Sequence, residues 1–190
     1  HTTADNRRQL MLAKIPSDRV NSQDITPNVM NVDSSVAIPE QSESYENNWY
    51  TSITAIGNDL FITYYDGIDG KLNIARIPKT RFDDPRVPIT LKPIEAITFS
   101  GEMSHFATNI GDKIYVSYVN QNTIRLARIS ADLNTLDIIN VENKGTYLLN
   151  VYTSITSIDS NIYVSYVLSR RDLKIATIPL DSFNENVIQR

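Results

Sequence analysis

The chain has 190 residues, 41% of them hydrophobic and 21% charged, with a formal net charge of −4. This length and apolar content suit one domain or one run of repeats, and they exclude a disordered polymer. The mildly acidic balance argues against a nucleic-acid partner, the lack of cysteine removes disulfide and thiolate chemistry, and no run approaches the roughly 18 apolar residues of a membrane helix.

The first candidate strand is LMLAKIP, residues Leu10–Pro16, and a less regular one is expected within Val29–Ile38. From Tyr50 the pattern sharpens. YTSITAIGNDLFITYY, residues Tyr50–Tyr65, reads as two strands around the turn Gly57-Asn58-Asp59, whose residues tolerate positive φ. LFITYY alternates aliphatic with aromatic and hydroxyl residues, which predicts a strand with one face more buried. A second turn, Asp66-Gly67-Ile68-Asp69-Gly70, leads into LNIARIP at Leu72–Pro78, where a proline that cannot donate to a ladder stops the strand. A fourth strand is expected at Ile89–Ile94.

The same order then returns. SHFATNIGDKIYVSYV at Ser104–Val119 and YTSITSIDSNIYVSYV at Tyr152–Val167 align with the Tyr50 segment without gaps, offset by 54 and 102 residues. IRLARIS at Ile124–Ser130 and LKIATIP at Leu173–Pro179 match LNIARIP and LMLAKIP, with Ala13, Ala75, Ala127 and Ala176 in one column. Thr135–Val141 is the fourth strand of the second full unit. Tyr64, Tyr118 and Tyr166 share one strand position, and such recurrence predicts a structural role, with the hydroxyl bonded to a neighbouring unit.

Antiparallel four-stranded units of about 50 residues are what propeller blades look like in sequence, each hiding its faces against its neighbours. The expected architecture is an all-β propeller in a single repeat domain, residues 1–190, holding about 3.5 blades. A partial blade covers 1–49, blades follow over 50–98 and 99–150, and 151–190 form a blade that is itself incomplete. A β-sandwich or prism of stacked hairpins is the alternative. The partial units and the start at His1 lead to a further expectation, that the chain forms a homo-oligomer or belongs to a longer polypeptide.

In such a fold the loops after the second strands share one end with the starts of the first strands. Trp49, Tyr50, Asp66, His105, Asn120, Tyr152 and Arg170 are the candidate ligand-binding residues there. Aromatic rings beside amides, a carboxylate and an arginine suit sugar recognition, because a ring covers the apolar face of a pyranose while polar groups take its hydroxyls. Each has a plainer use in packing, turn formation or a solvated surface. His105 is the one ionisable residue that breaks its column, where Thr51 and Thr153 stand. Two histidines are too few for a zinc centre, and the two carboxylates of Asp66-Gly-Ile-Asp-Gly70 are too few for calcium, so no metal and no cofactor is expected. No serine–histidine frame and no glycine-rich phosphate loop is present, and the first strands carry neither Asp nor Glu.

With strands of the form IYVSYV followed by a turn and an LKIA-type strand, the units resemble the blades of sialidase-like and lectin-type β-propellers. The Asp-box of sialidase repeats is absent, so the resemblance implies architecture and a habit of binding glycans or proteins, without catalytic residues. The function expected is a non-catalytic binding module with carbohydrate as the first ligand class. A protein-interaction or structural segment of a larger secreted enzyme, toxin or surface protein is the second reading, and a propeller glycoside hydrolase the third. Either of the first two places the protein outside the cell or on its surface, with a glycan or protein ligand, no nucleic acid and no membrane insertion.

Overall fold

The computed structural model describes residues 9–15, 17, 27–33, 50–66, 70–97, 104–143, 151–168 and 172–183. Among them, thirteen strands form four antiparallel sheets in chain order. Sheet I pairs β1 (Leu10–Lys14) with β2 (Asn28–Asp33). Sheet II is the meander β3 (Thr51–Ile56), β4 (Asp59–Asp66), β5 (Lys71–Pro78) and β6 (Thr90–Ala96). Sheet III repeats that order with β7 (His105–Ile110), β8 (Lys113–Asn120), β9 (Thr123–Ser130) and β10 (Leu136–Asn143). Sheet IV holds β11 (Thr153–Ile158), β12 (Asn161–Leu168) and β13 (Asp172–Pro179). The all-β, antiparallel character expected from the sequence is therefore present. Four strands per unit are seen in sheets II and III, and among the described residues the four sheets do not close into a ring or barrel.

Local chemistry explains the hairpins. Two-residue turns join the first and second strands of sheets II, III and IV, and their first residues, Gly57, Gly111 and Asp159, lie at φ of 58°, 60° and 53°. Glycine takes this left-handed conformation without a steric penalty, and Asp is among the few side chains that tolerate it. Pro78 and Pro179 close β5 and β13, and a short 3-10 helix follows each.

The sheets pack face to face. Between I and II, Leu12 and Val32 meet Ile62, Tyr64, Ala75 and Ile77. Between II and III, Phe61, Leu72, Ile74 and Ile94 meet Val116, Tyr118, Ala127 and Ile129. Between III and IV, Tyr115, Ile124 and Leu126 meet Ile162, Val164 and Tyr166. Because side chains alternate along a strand, β4 gives Ile62 and Tyr64 to one neighbour and Phe61 and Tyr65 to the other. Here the structure corrects the sequence reading. Alternation of aliphatic with Tyr, Thr and Ser suggested one more buried face, yet β4 from Phe61 and β8 from Ile114 are buried on both. Tyrosine and small hydroxyl residues are compatible with burial once their polar atoms are bonded, as Thr63 and Ser117 show by bonding Ser52 and Thr153.

The first strands of sheets II, III and IV lie side by side, β3 against β7 and β7 against β11. Ser52 Oγ accepts from the Ala107 N–H at 2.9 Å and donates to the Ala107 carbonyl, and Thr54 Oγ1 bonds Asn109 Oδ1 at 3.0 Å. The partners advance together along both chains, so β3 and β7 run in the same direction. Ser104 makes the same kind of bridge to the next sheet, accepting from the Thr153 N–H at 2.9 Å and donating to the Val151 carbonyl at 2.8 Å.

Candidate functional site

Strand register brings the candidate residues to one end of the stack. Thr51 stands opposite Tyr64, His105 opposite Tyr118 and Thr153 opposite Tyr166. Tyr50 and Tyr152 therefore stand just before the first strands of sheets II and IV, and His105 begins that of sheet III, at the end where Asp66 and Asn120 finish the second strands of sheets II and III.

Two of these residues meet. The rings of Tyr50, from sheet II, and Tyr152, from sheet IV, lie with centroids 6.0 Å apart at 89°, an edge-to-face pair. Tyr50 is half-buried and Tyr152 is 45% exposed, so the pair fixes its own geometry while leaving ring surface open to solvent. Among the described residues no other candidate keeps such exposure. His105 is 6% exposed, with Nε2 3.0 Å from the Thr63 carbonyl. A carbonyl can only accept, so Nε2 carries the proton and donates. Burial outweighs that bond and pushes the imidazole pKa down to about 4, which leaves His105 neutral at pH 7. Its ring fastens sheet III to sheet II. Asn120 is buried and donates through Nδ2 to the Ala96 carbonyl at 3.1 Å, again from sheet III to sheet II. Asp66 is buried as well, and its charge helps raise the pKa of the Tyr64 and Tyr65 phenols, chiefly an effect of their own burial. Trp49 and Arg170 lie outside the described residues.

The tyrosine column bonds between sheets as its recurrence predicted, while the acids that accept these bonds escaped the sequence reading. The Tyr64 hydroxyl donates to Asp33 Oδ2 at 2.7 Å, that of Tyr118 to Glu95 Oε2 at 2.8 Å, and that of Tyr166 to Glu142 Oε2. Each bond runs from a second strand to the fourth strand of the preceding sheet, or to β2 in sheet I. Arg125 pairs with Glu95, and Lys174 with Glu142 at 3.2 Å, from the position where sheet II carries Asn73. Burial first, and the acceptor carboxylate second, drive the Tyr64, Tyr118 and Tyr166 pKa values far above the usual phenol range, so all three remain donors.

A shared backbone feature aims those acids. The ladder slips once between β1 and β2 in sheet I, between β5 and β6 in sheet II and between β9 and β10 in sheet III. Met11 faces Asn31 while Leu10 faces Asp33; Asn73 faces Pro93 while Leu72 faces Glu95; Arg125 faces Asn140 while Ile124 faces Glu142. The residues passed over are Val32, Ile94 and Val141. A regular strand would point each of these and the acid after it to opposite faces. With the bulge, both reach the next sheet: Val32 packs with Tyr64 while Asp33 accepts from it, and Ile94 packs in the cluster of Tyr118 while Glu95 accepts from it. The signal available in the sequence was the apolar–acid dyad itself: Val32-Asp33, Ile94-Glu95, Val141-Glu142.

Among the described residues, no group of three or more His, Cys, Asp or Glu side chains is gathered in the manner of a metal site, and no helix is long and apolar enough to cross a membrane. No protein-family model and no curated protein matches the chain. Among solved structures it is similar to NanB plus Optactamide, with a TM-score of 0.53 and 10% sequence identity. The match covers 94% of this chain and 28% of that one, so the chain spans little more than a quarter of its neighbour's length. At that identity the likeness concerns the fold alone, and it agrees with a β-rich architecture.

Proposed function

We propose that the chain is a non-catalytic binding module, built from blades of a β-propeller, that takes carbohydrate at the end of the stack marked by Tyr50 and Tyr152. The observation carrying this reading is the edge-to-face pair itself, in which two sheets contribute one ring each and Tyr152 stays 45% exposed. Rigid aromatic surface is the chemistry that covers a pyranose face. The propeller reading draws support from three further features: meander sheets stacked in chain order, first strands that run side by side in one direction, and the likeness in fold to the NanB structure. The first strands TSITAI, HFATNI and TSITSI bring no carboxylate to the line they share, whereas glycoside hydrolysis commonly uses two. Binding without catalysis is therefore preferred over the hydrolase reading.

A glycan array followed by titration calorimetry tests the proposal. At least one glycan class should bind, and Tyr152→Ala should weaken it about tenfold, the scale of one lost aromatic contact, at unchanged melting temperature. Binding to no glycan, or affinity indifferent to both Tyr50→Ala and Tyr152→Ala, would discard it. A protein-interaction role, the second reading, is favoured by a different surface, described next.

A further inference from the structure

The two ends of the stack are open in a complementary way. In sheet II the column pair Leu72 and Ile74 is covered by sheet III, and in sheet III the pair Ile124 and Leu126 is covered by sheet IV; all four side chains are buried. The equivalent pair in sheet IV, Leu173 and Ile175, is 69% and 65% exposed. At the other end, the columns Ala75–Ile77 and Ala127–Ile129 fill the spaces between sheets, while their counterparts in sheet I, Ala13 and Ile15, are exposed, Ile15 at 47%. Val29, opposite Ala13 and so on the same face, is 50% exposed. Both open surfaces are thus apolar in the columns that make each internal contact.

We propose that the open face of sheet IV receives sheet I of a second copy of this chain, head to tail, in the manner sheet II receives sheet III. The argument for a second copy is that both halves of the missing contact lie on one molecule. Leu173 and Ile175 belong to the face that elsewhere packs on an Ala–Ile column, and Ala13 and Ile15 are such a column without cover. Solvent exposure of these side chains is unfavourable, and their burial drives the association. The contact is heterologous, since two different surfaces meet, so copies add in one direction and either close a ring or continue as a chain. The proposal stands apart from carbohydrate binding, because Tyr50 and Tyr152 take no part in it.

Analytical ultracentrifugation of the intact chain across a dilution series tests it. The chain should sediment as an oligomer that dissociates on dilution. The double variant Leu173→Glu/Ile175→Glu and the single variant Ile15→Glu should each sediment as monomers with unchanged circular dichroism, because these side chains are exposed in one chain. Mixing the two variants should restore a one-to-one complex of twice the chain mass, as each retains the surface that the other lacks. A wild-type chain monomeric throughout, or an Ile15→Glu variant that still self-associates, would overturn the head-to-tail contact. Glycan binding by a wild-type chain that is monomeric throughout would separate the failure of this contact from that of the binding module.

Discussion

The hexapeptide IYVSYV occurs twice, as Ile114–Val119 in β8 and as Ile162–Val167 in β12. Each copy is the central strand of its hairpins, paired on both sides with the same register. In sheet III all six side chains are buried; in sheet IV Ile162, Val164 and Tyr166 are buried while Tyr163, Ser165 and Val167 are only half-buried. Identical sequence and identical pairing thus end in different environments. The difference lies in what covers the second face, a property of the stack and not of the strand.

That contrast predicts unequal sensitivity to mutation. Leu126→Ala, inside the space between sheets III and IV, should cost about 2–5 kcal/mol, the range for a buried Leu truncated to Ala. Ile175→Ala, at the equivalent position of the open face, should cost under about 0.5 kcal/mol, as surface substitutions do. Urea unfolding of both variants in the Ile15→Glu background, which should keep the chain monomeric, makes the comparison. Equal losses would mean that sheet IV is covered from within its own chain.

Acid should weaken the internal contacts through His105. Its folded pKa of about 4 lies below the ordinary value near 6.5, so the unfolded chain takes up the proton first as pH falls. The His105 contribution to stability is therefore complete above about pH 6.5 and is lost towards pH 4, by up to about 3 kcal/mol. His105→Gln keeps an N–H donor for the Thr63 carbonyl without the titration, and should flatten this part of the stability–pH curve measured by thermal unfolding. A curve unchanged by the substitution would assign the pH dependence to other groups.

A smaller effect separates the tyrosine junctions. Tyr118→Phe removes the hydroxyl that a fully buried tyrosine donates to the half-buried Glu95 and should cost about 1–3 kcal/mol. Tyr166→Phe should cost less, because Lys174, the cation on Glu142, is 41% exposed and adapts to the loss, whereas Arg125, the cation on Glu95, is 27% exposed and more tightly held. Chemical denaturation of the two variants should rank them in that order.

Much of the fold was legible because strands, hairpins and column identities are written locally. Gly57, Gly111 and Asp159 mark turns by their tolerance of positive φ, and the Tyr64, Tyr118 and Tyr166 column announced bonding between units by recurrence alone. The acids that complete those bonds were not legible. Asp33, Glu95 and Glu142 sit on the least regular strands, just after a bulge, and a period-two reading assigns them to the wrong face. The candidate site was legible in position and only partly in orientation. Register put Tyr50, Asp66, His105, Asn120 and Tyr152 at one end, but sequence does not tell which residues at a strand end turn inward. Burial then withdrew Asp66, His105 and Asn120 from solvent and left the two tyrosines.

The central claim is that each sheet owes its stability to the neighbour on either face, and the two IYVSYV segments test it without confounding sequence. Amide hydrogen exchange of the monomeric Ile15→Glu chain, followed by mass spectrometry, compares them under one condition. The stack predicts that Ile162–Val167 exchanges at least about tenfold faster than Ile114–Val119, because sheet IV opens locally while sheet III must wait for wider unfolding. Equal protection of the two segments would contradict it.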